Sequence, residues 1–171
     1  MSAPTLETER MRLRAFRPQD AEALARLYVD PEIMRFLPGY PGDFDGCLAR
    51  ARHDVEAYNT LWQTQGCGVW AVEDRAERRL IGRCGLRRLD EFAATELLYM
   101  YDKTHWRRGF ASEAAARAAT FGLQERRLER LIGLVLPENL GSRRVLEKTG
   151  FSYERHTQFR GRTVLLLQKT S

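Results

Sequence analysis

At 171 residues, 43% hydrophobic and 10% aromatic, the chain is long enough for one domain with a real core and too short for two, so a single domain over residues 1–171 is expected. No apolar run approaches the ~20 residues of a membrane span and no basic-then-apolar leader opens the chain, so a membrane partner is set aside and a cytoplasmic location is expected. The net charge of +5 comes mainly from arginine, while three scattered cysteines (Cys47, Cys67, Cys84) without CxxC spacing argue against a disulfide framework or a zinc site.

The alternation of Met11-Arg12-Leu13-Arg14 predicts a strand. Pro18-Gln19-Asp20 then opens a helix with apolar positions at Ala23, Leu24, Leu27 and Tyr28. Prolines and glycines from Asp30 to Gly46 predict a bent connection, followed by a helix from near Phe44 to Trp62. Gly68–Val72 and Leu80–Leu86 read as a hairpin around the polar turn Glu73–Arg79, with Trp62 and Trp70 as core residues. A strand over Glu96–Tyr101 leads into a basic loop and an alanine-rich helix ending near Gln124, whose Ala114, Ala115, Ala116, Ala118 and Ala119 suit close packing on a sheet. A strand at Leu131–Leu136, a helix from about Asn139 to Lys148, and strands near 151–156 and 163–168 complete the chain. Interleaved strands and helices imply an α/β or α+β layered sheet, and the connection from Tyr101 to Leu131 is long enough for a parallel crossover.

The loop Trp106-Arg107-Arg108-Gly109-Phe110-Ala111-Ser112 joins a strand to a helix. A helix N-terminus presents unpaired N–H groups and about half a unit of positive charge, so this is a place to hold phosphate. It is neither a Walker A sequence nor a three-glycine dinucleotide fingerprint, and Arg107 and Arg108 can equally be solvated charges. A second element stands at Asn139-Leu140-Gly141-Ser142, followed by Gly150-Phe151. The pair resembles the GNAT superfamily of acyl-CoA-dependent N-acyltransferases: Trp106-x-x-Gly109-x-Ala111 is similar to its pyrophosphate signature, and the second element to its Asn-x-x-Ser…Gly-Phe segment. Trp106 in place of Arg or Gln, together with Leu6–Arg14 as a first strand, resembles the ribosomal-protein N-acetyltransferases of RimJ/RimL type. The resemblance implies a GNAT fold, with a mixed, mostly antiparallel sheet splayed between the strands near 96–101 and 131–136 and flanked by helices.

It also implies acetyl-CoA as cofactor and direct transfer of the acetyl group to a primary amine in a ternary complex, without metal. The implied cofactor site is Tyr99, Met100, Tyr101, the loop Trp106 to Ser112, Asn139 and Ser142. Backbone N–H groups near Tyr99 would polarise the thioester carbonyl. Many members place a tyrosine acid where this chain has Leu146, which leaves Ser142 as the candidate donor to the departing thiolate. Glu96 is the candidate base, with Asp102 and His105 behind it, but a one-residue shift of register would turn Glu96 to the other face of the sheet. Glu113 reads as a first-turn charge complementing the helix dipole, and Asn139 reads equally as a helix cap. Leu37–Asp45 and Arg160-Gly161-Arg162 are candidate walls of the acceptor site.

By the same resemblance the acceptor is a protein or peptide N-terminal amine, with a small-molecule amine, or a non-catalytic acyl-CoA sensor, as alternatives. Nucleic acid is not expected as a partner, the segment Arg126–Arg130 being the one candidate. Either a monomer or a homodimer is compatible.

Overall fold

Eight segments of strand-forming sequence join one sheet: β1 (Leu6–Glu7), β2 (Met11–Arg14), β3 (Val69–Asp74), β4 (Arg79–Leu89), β5 (Ala94–Tyr101), β6 (Arg130–Val135), β7 (Ser152–Phe159) and β8 (Arg162–Thr170). The computed structural model describes residues 3–39 and 42–170. The strand order is β1-β2-β3-β4-β5-β6-β8-β7. Every pairing is antiparallel except β5 with β6. This is the mixed, mostly antiparallel sheet that the resemblance implies.

Among the described residues five α-helices flank the sheet: α1 (Asp20–Val29), α2 (Pro31–Met34), α3 (Phe44–Gln65), α4 (Phe110–Thr120) and α5 (Leu140–Lys148). Alternation along β5 sorts the two cores. Leu97, Tyr99 and Tyr101 join the core under α4 and α5 with Ala114, Ala115, Ala118 and Leu146. Leu98 and Met100 join the core under α1 and α3 with Leu24, Tyr28 and Val55. Trp62 and Trp70 stack in the first core at 4.6 Å between ring centroids.

Three local departures from the sequence reading have clear causes. The N-terminal strand is split: Thr8 N–H donates to Met11 O at 2.9 Å, and Leu6 folds back to pair with Leu13. The bend after Asp30 contains α2, because Asp30 accepts from Glu32 N and Ile33 N while Pro31 takes the first helical position. The regular part of the alanine-rich helix ends at Thr120, and Phe121–Glu125 continues it as a π-helical turn closed by Arg126 N on Phe121 O at 2.9 Å. Of the five alanines, Ala116 is exposed and the other four are buried.

The sheet opens between β5 and β6. They pair only at Thr95–Leu131 and Glu96–Ile132. Past that point β5 follows β4 to the pair Gly82–Tyr101, while β6 follows β8 to the pair Val135–Leu165. Residues 97–101 therefore turn a strand edge toward a gap with no partner strand in register.

Candidate active site

The basic loop stands at the open end of that gap. Trp106 Nε1 donates to Tyr101 O at 2.9 Å, folding the chain back after β5, with 40% of the tryptophan surface exposed. Trp106 is therefore a half-open brace that fixes the loop. Arg107 and Gly109 both have positive φ, 60° and 82°. That conformation turns successive N–H groups to one side, and glycine adopts it without the strain that a Cβ brings. No side chain caps α4, so the first N–H groups of the helix stay unpaired at the loop.

Side chains under the loop hold it in place. Arg10, from the turn between β1 and β2, donates from Nη1 to Arg108 O at 2.8 Å and lies 4.2 Å over the Phe110 ring. Arg10 also binds Glu113, so Glu113 serves as a tether as well as a first-turn charge. Burial raises the Glu113 carboxyl, but bonds from Thr8 and from the Arg10 amide and guanidinium outweigh it and hold the group below its ordinary value. Phe110 is buried edge-on against His105, while Ala111 and Ser112 are half-buried. Arg107 is exposed at the rim.

Across the gap, Asn139 caps α5 by accepting Ser142 N–H at 3.1 Å, which places Ser142 in the first turn. Tyr99 approaches from β5. Its hydroxyl lies 3.0 Å from Ser142 Oγ and donates to Ser142 O at 2.9 Å. Burial raises the Tyr99 phenol well above its ordinary value, against the pull of the Ser142 bond, so it stays protonated. The sequence reading gives Tyr99 a backbone role alone, and a Tyr–Ser pair 43 positions apart leaves no spacing signal. Leu146 faces elsewhere: a Cβ on Gly133 of β6 would come within 2.6 Å of Leu146 Cδ1. The leucine fills the space that Gly133 leaves.

Glu96 belongs to the opposite face. It is 6% exposed, on the α1/α3 side of β5 at the last pair before the sheet opens, and Arg87 Nη2 donates to its Oε2 at 2.5 Å. The Met100 side chain also lies on this face, away from Tyr99 and Tyr101. The reserve candidates are held in the same way: Asp102 accepts from Arg79 Nη1 at 2.9 Å and from Thr104 N–H at 3.0 Å. Buried His105 has Nε2 3.3 Å from Asp74. Of the two expected walls, Leu37 packs under α1 and α3, and Arg50 Nη1 holds Pro38 O at 2.8 Å and also Gly39 O. Tyr40 and Pro41 of that wall lie outside the described residues. The two-residue turn between β7 and β8 brings Arg162 within 3.7 Å of Glu138, just ahead of α5. All three cysteines are free and buried.

The pieces fit a diphosphate-bearing thioester. The loop offers unpaired N–H groups with positive φ at Arg107 and Gly109, and a gap with a free strand edge leads inward from it. The family model described as "Acetyltransferase (GNAT) domain" matches residues 10–152. The chain is 32% identical over 152 residues to the N-acetyltransferase YoaA of Bacillus subtilis (strain 168), covering 88% of this chain and 84% of YoaA. Among solved structures, an acetyltransferase from Agrobacterium tumefaciens str. C58 superposes with a TM-score of 0.82 at 25% identity, covering 100% of this chain and 96% of that one. Mycobacterium smegmatis RimJ, solved in complex with CoA-disulfide, superposes with a TM-score of 0.80 at 20% identity, covering 94% of this chain and 82% of that one.

Proposed function

The chain belongs to the GNAT acetyltransferase family, and from that membership we propose that it acetylates the α-amine of a protein or peptide N-terminus. One observation carries the reading. Glu96 and the Ser142–Tyr99 pair stand on opposite faces of the sheet, beside the same gap. An amine can then approach from the α1/α3 side while the loop holds the cofactor from the α4 side.

When bound, acetyl-CoA supplies an acetyl thioester whose carbonyl carbon the amine attacks, with loss of the thiol. Backbone N–H groups along the free edge of β5 polarise the carbonyl oxygen. Glu96 accepts a proton from the amine nitrogen. Ser142 Oγ donates a hydrogen bond to the departing thiolate, which takes its proton from solvent, and the Tyr99 hydroxyl 3.0 Å from Oγ orients the serine. Loop residues Arg107 to Ser112 hold the diphosphate through backbone N–H groups and charge.

An α-amine suits this arrangement. Its ordinary pKa of about 7.7–8.0, against about 10.4 for lysine, leaves it partly neutral near pH 7, so little is asked of the base. RimJ in the solved complex shares the fold. The test is thiol release from acetyl-CoA with unblocked peptides, N-terminally blocked lysine peptides and small amines. Release confined to unblocked peptides, with the acetyl group located on the first residue by mass spectrometry, is expected. Release only with small amines or lysine side chains overturns the acceptor assignment.

A further inference from the structure

The α1/α3 face beside Glu96 carries a guanidinium, Arg83, that no carboxylate pairs among the described residues. Arg83 and Arg87 project there from β4, on the face opposite Cys84 and Leu86, which join the other core. Arg87 binds Glu96, Arg50 Nε lies 3.6 Å from Asp54, and the Tyr28 hydroxyl donates to Asp54 at 2.6 Å. Both carboxylates are thus engaged. Arg83 lies 5.4 Å from the Tyr58 ring, and Asp54 and Glu96 are the carboxylates whose charge acts on it. It makes no ion pair among the described residues, and the Nε atoms of Arg83 and Arg87 are both buried without a hydrogen-bond partner. Three arginines against two carboxylates leave one positive charge over.

An unpaired buried donor is costly, more so when charged, and such groups are ordinarily matched by an acceptor. A guanidinium fork fits a carboxylate best. We propose that Arg83, with Arg87, binds a carboxylate carried by the amine acceptor itself, and so selects acceptors whose acidic group lies close to the amine. The inference rests on the acetyl-transfer reading and sharpens it. The carboxylate can be the side chain of an acidic first residue in a peptide or the α-carboxylate of a free amino acid.

Two matched acceptor pairs separate these sources: peptides differing only in Asp or Asn at the first position, and L-alanine against L-alaninamide. Thiol release is measured for wild type, Arg83→Gln and Arg83→Lys, with acetyl-CoA-induced thermal stabilisation reporting that each variant is folded. The wild type is expected to favour the carboxylate member of one pair by about tenfold or more in KM. Arg83→Gln brings that ratio close to one with kcat within a few-fold, and Arg83→Lys restores part of it. Equal KM values in both pairs, or a preference that survives Arg83→Gln, overturns the proposal. If no amine releases thiol, the acetyl-transfer reading itself fails. The carboxylate site is then read by thermal shift with N-acetyl-L-aspartate and N-acetyl-L-alanine against their amides. Stabilisation that depends on Arg83 sustains the site, and its absence overturns it.

Discussion

Arg10 and Glu113 are 103 positions apart in sequence and joined by two hydrogen bonds, from Arg10 N–H to Oε1 at 3.0 Å and from Arg10 Nε to Oε2 at 2.7 Å. With the bond to Arg108 O, one side chain fixes both the loop and the first turn of α4. The proposed pyrophosphate cradle is therefore held from outside, by the N-terminal hairpin.

Replacing Arg10 by alanine should loosen the cradle without touching the gap. The half-exposed ion pair itself is worth no more than about 1 kcal/mol of stability. The larger expected effect is on KM for acetyl-CoA, a rise of about tenfold, with kcat at saturating cofactor changed far less. Equal losses in kcat and kcat/KM would place Arg10 in the chemical step instead.

The same tether sets an acid limit. A carboxylate held below its ordinary value of about 4.3 contributes stability that is present above that pH and lost as pH falls through the lowered folded value. Denaturant titrations at falling pH should show Glu113→Gln less stable than wild type at neutral pH, with the two converging in acid. Parallel curves at all pH values would contradict the assignment.

Ser142→Ala and Tyr99→Phe remove the two hydroxyls that meet at 3.0 Å. Each should lower kcat by about 10- to 100-fold with little change in KM for acetyl-CoA, and the double variant should lose less than the product of the two. Steady-state thiol release measures both. Full activity in Ser142→Ala would remove the serine as the donor to the departing thiolate.

Restoring a tyrosine at Leu146 should not restore an acid. Leu146 is 2% exposed and fills the space above Gly133, so the larger ring overpacks the core. A loss of about 1–3 kcal/mol in chemical denaturation, with no gain in kcat, is expected.

Local signals carried much of this into the sequence. The strand, basic loop and alanine-rich helix around Gly109 were legible because helix propensity and glycine placement are local properties. The Asn139–Ser142 cap was legible because its three-residue spacing is that of a capping bond. Long-range facts were not. The Tyr99–Ser142 contact, the Arg10 clamp and the unpaired Arg83 depend on which elements meet across the sheet. Glu96 shows the boundary between the two kinds: its residue type marks it as a candidate base, but only the register Arg87–Glu96 decides the face it occupies. The short helix after Asp30 was missed although its cap and proline were present, because proline and glycine nearby read more strongly as a bend.

Acetyl-CoA-dependent thermal stabilisation of wild type and Gly109→Trp tests the central claim most directly. Gly109 has a φ of 82°, and its Cβ position lies 3.3 Å from Arg10 Nη2, so a bulky residue both strains the turn and fills the cradle. Because a ligand that binds only the folded state raises the transition with its saturation, the wild type should be stabilised and the variant, folded by circular dichroism, should not. No stabilisation of the wild type at millimolar acetyl-CoA, or equal stabilisation of both proteins, would contradict the cradle and the reaction built on it.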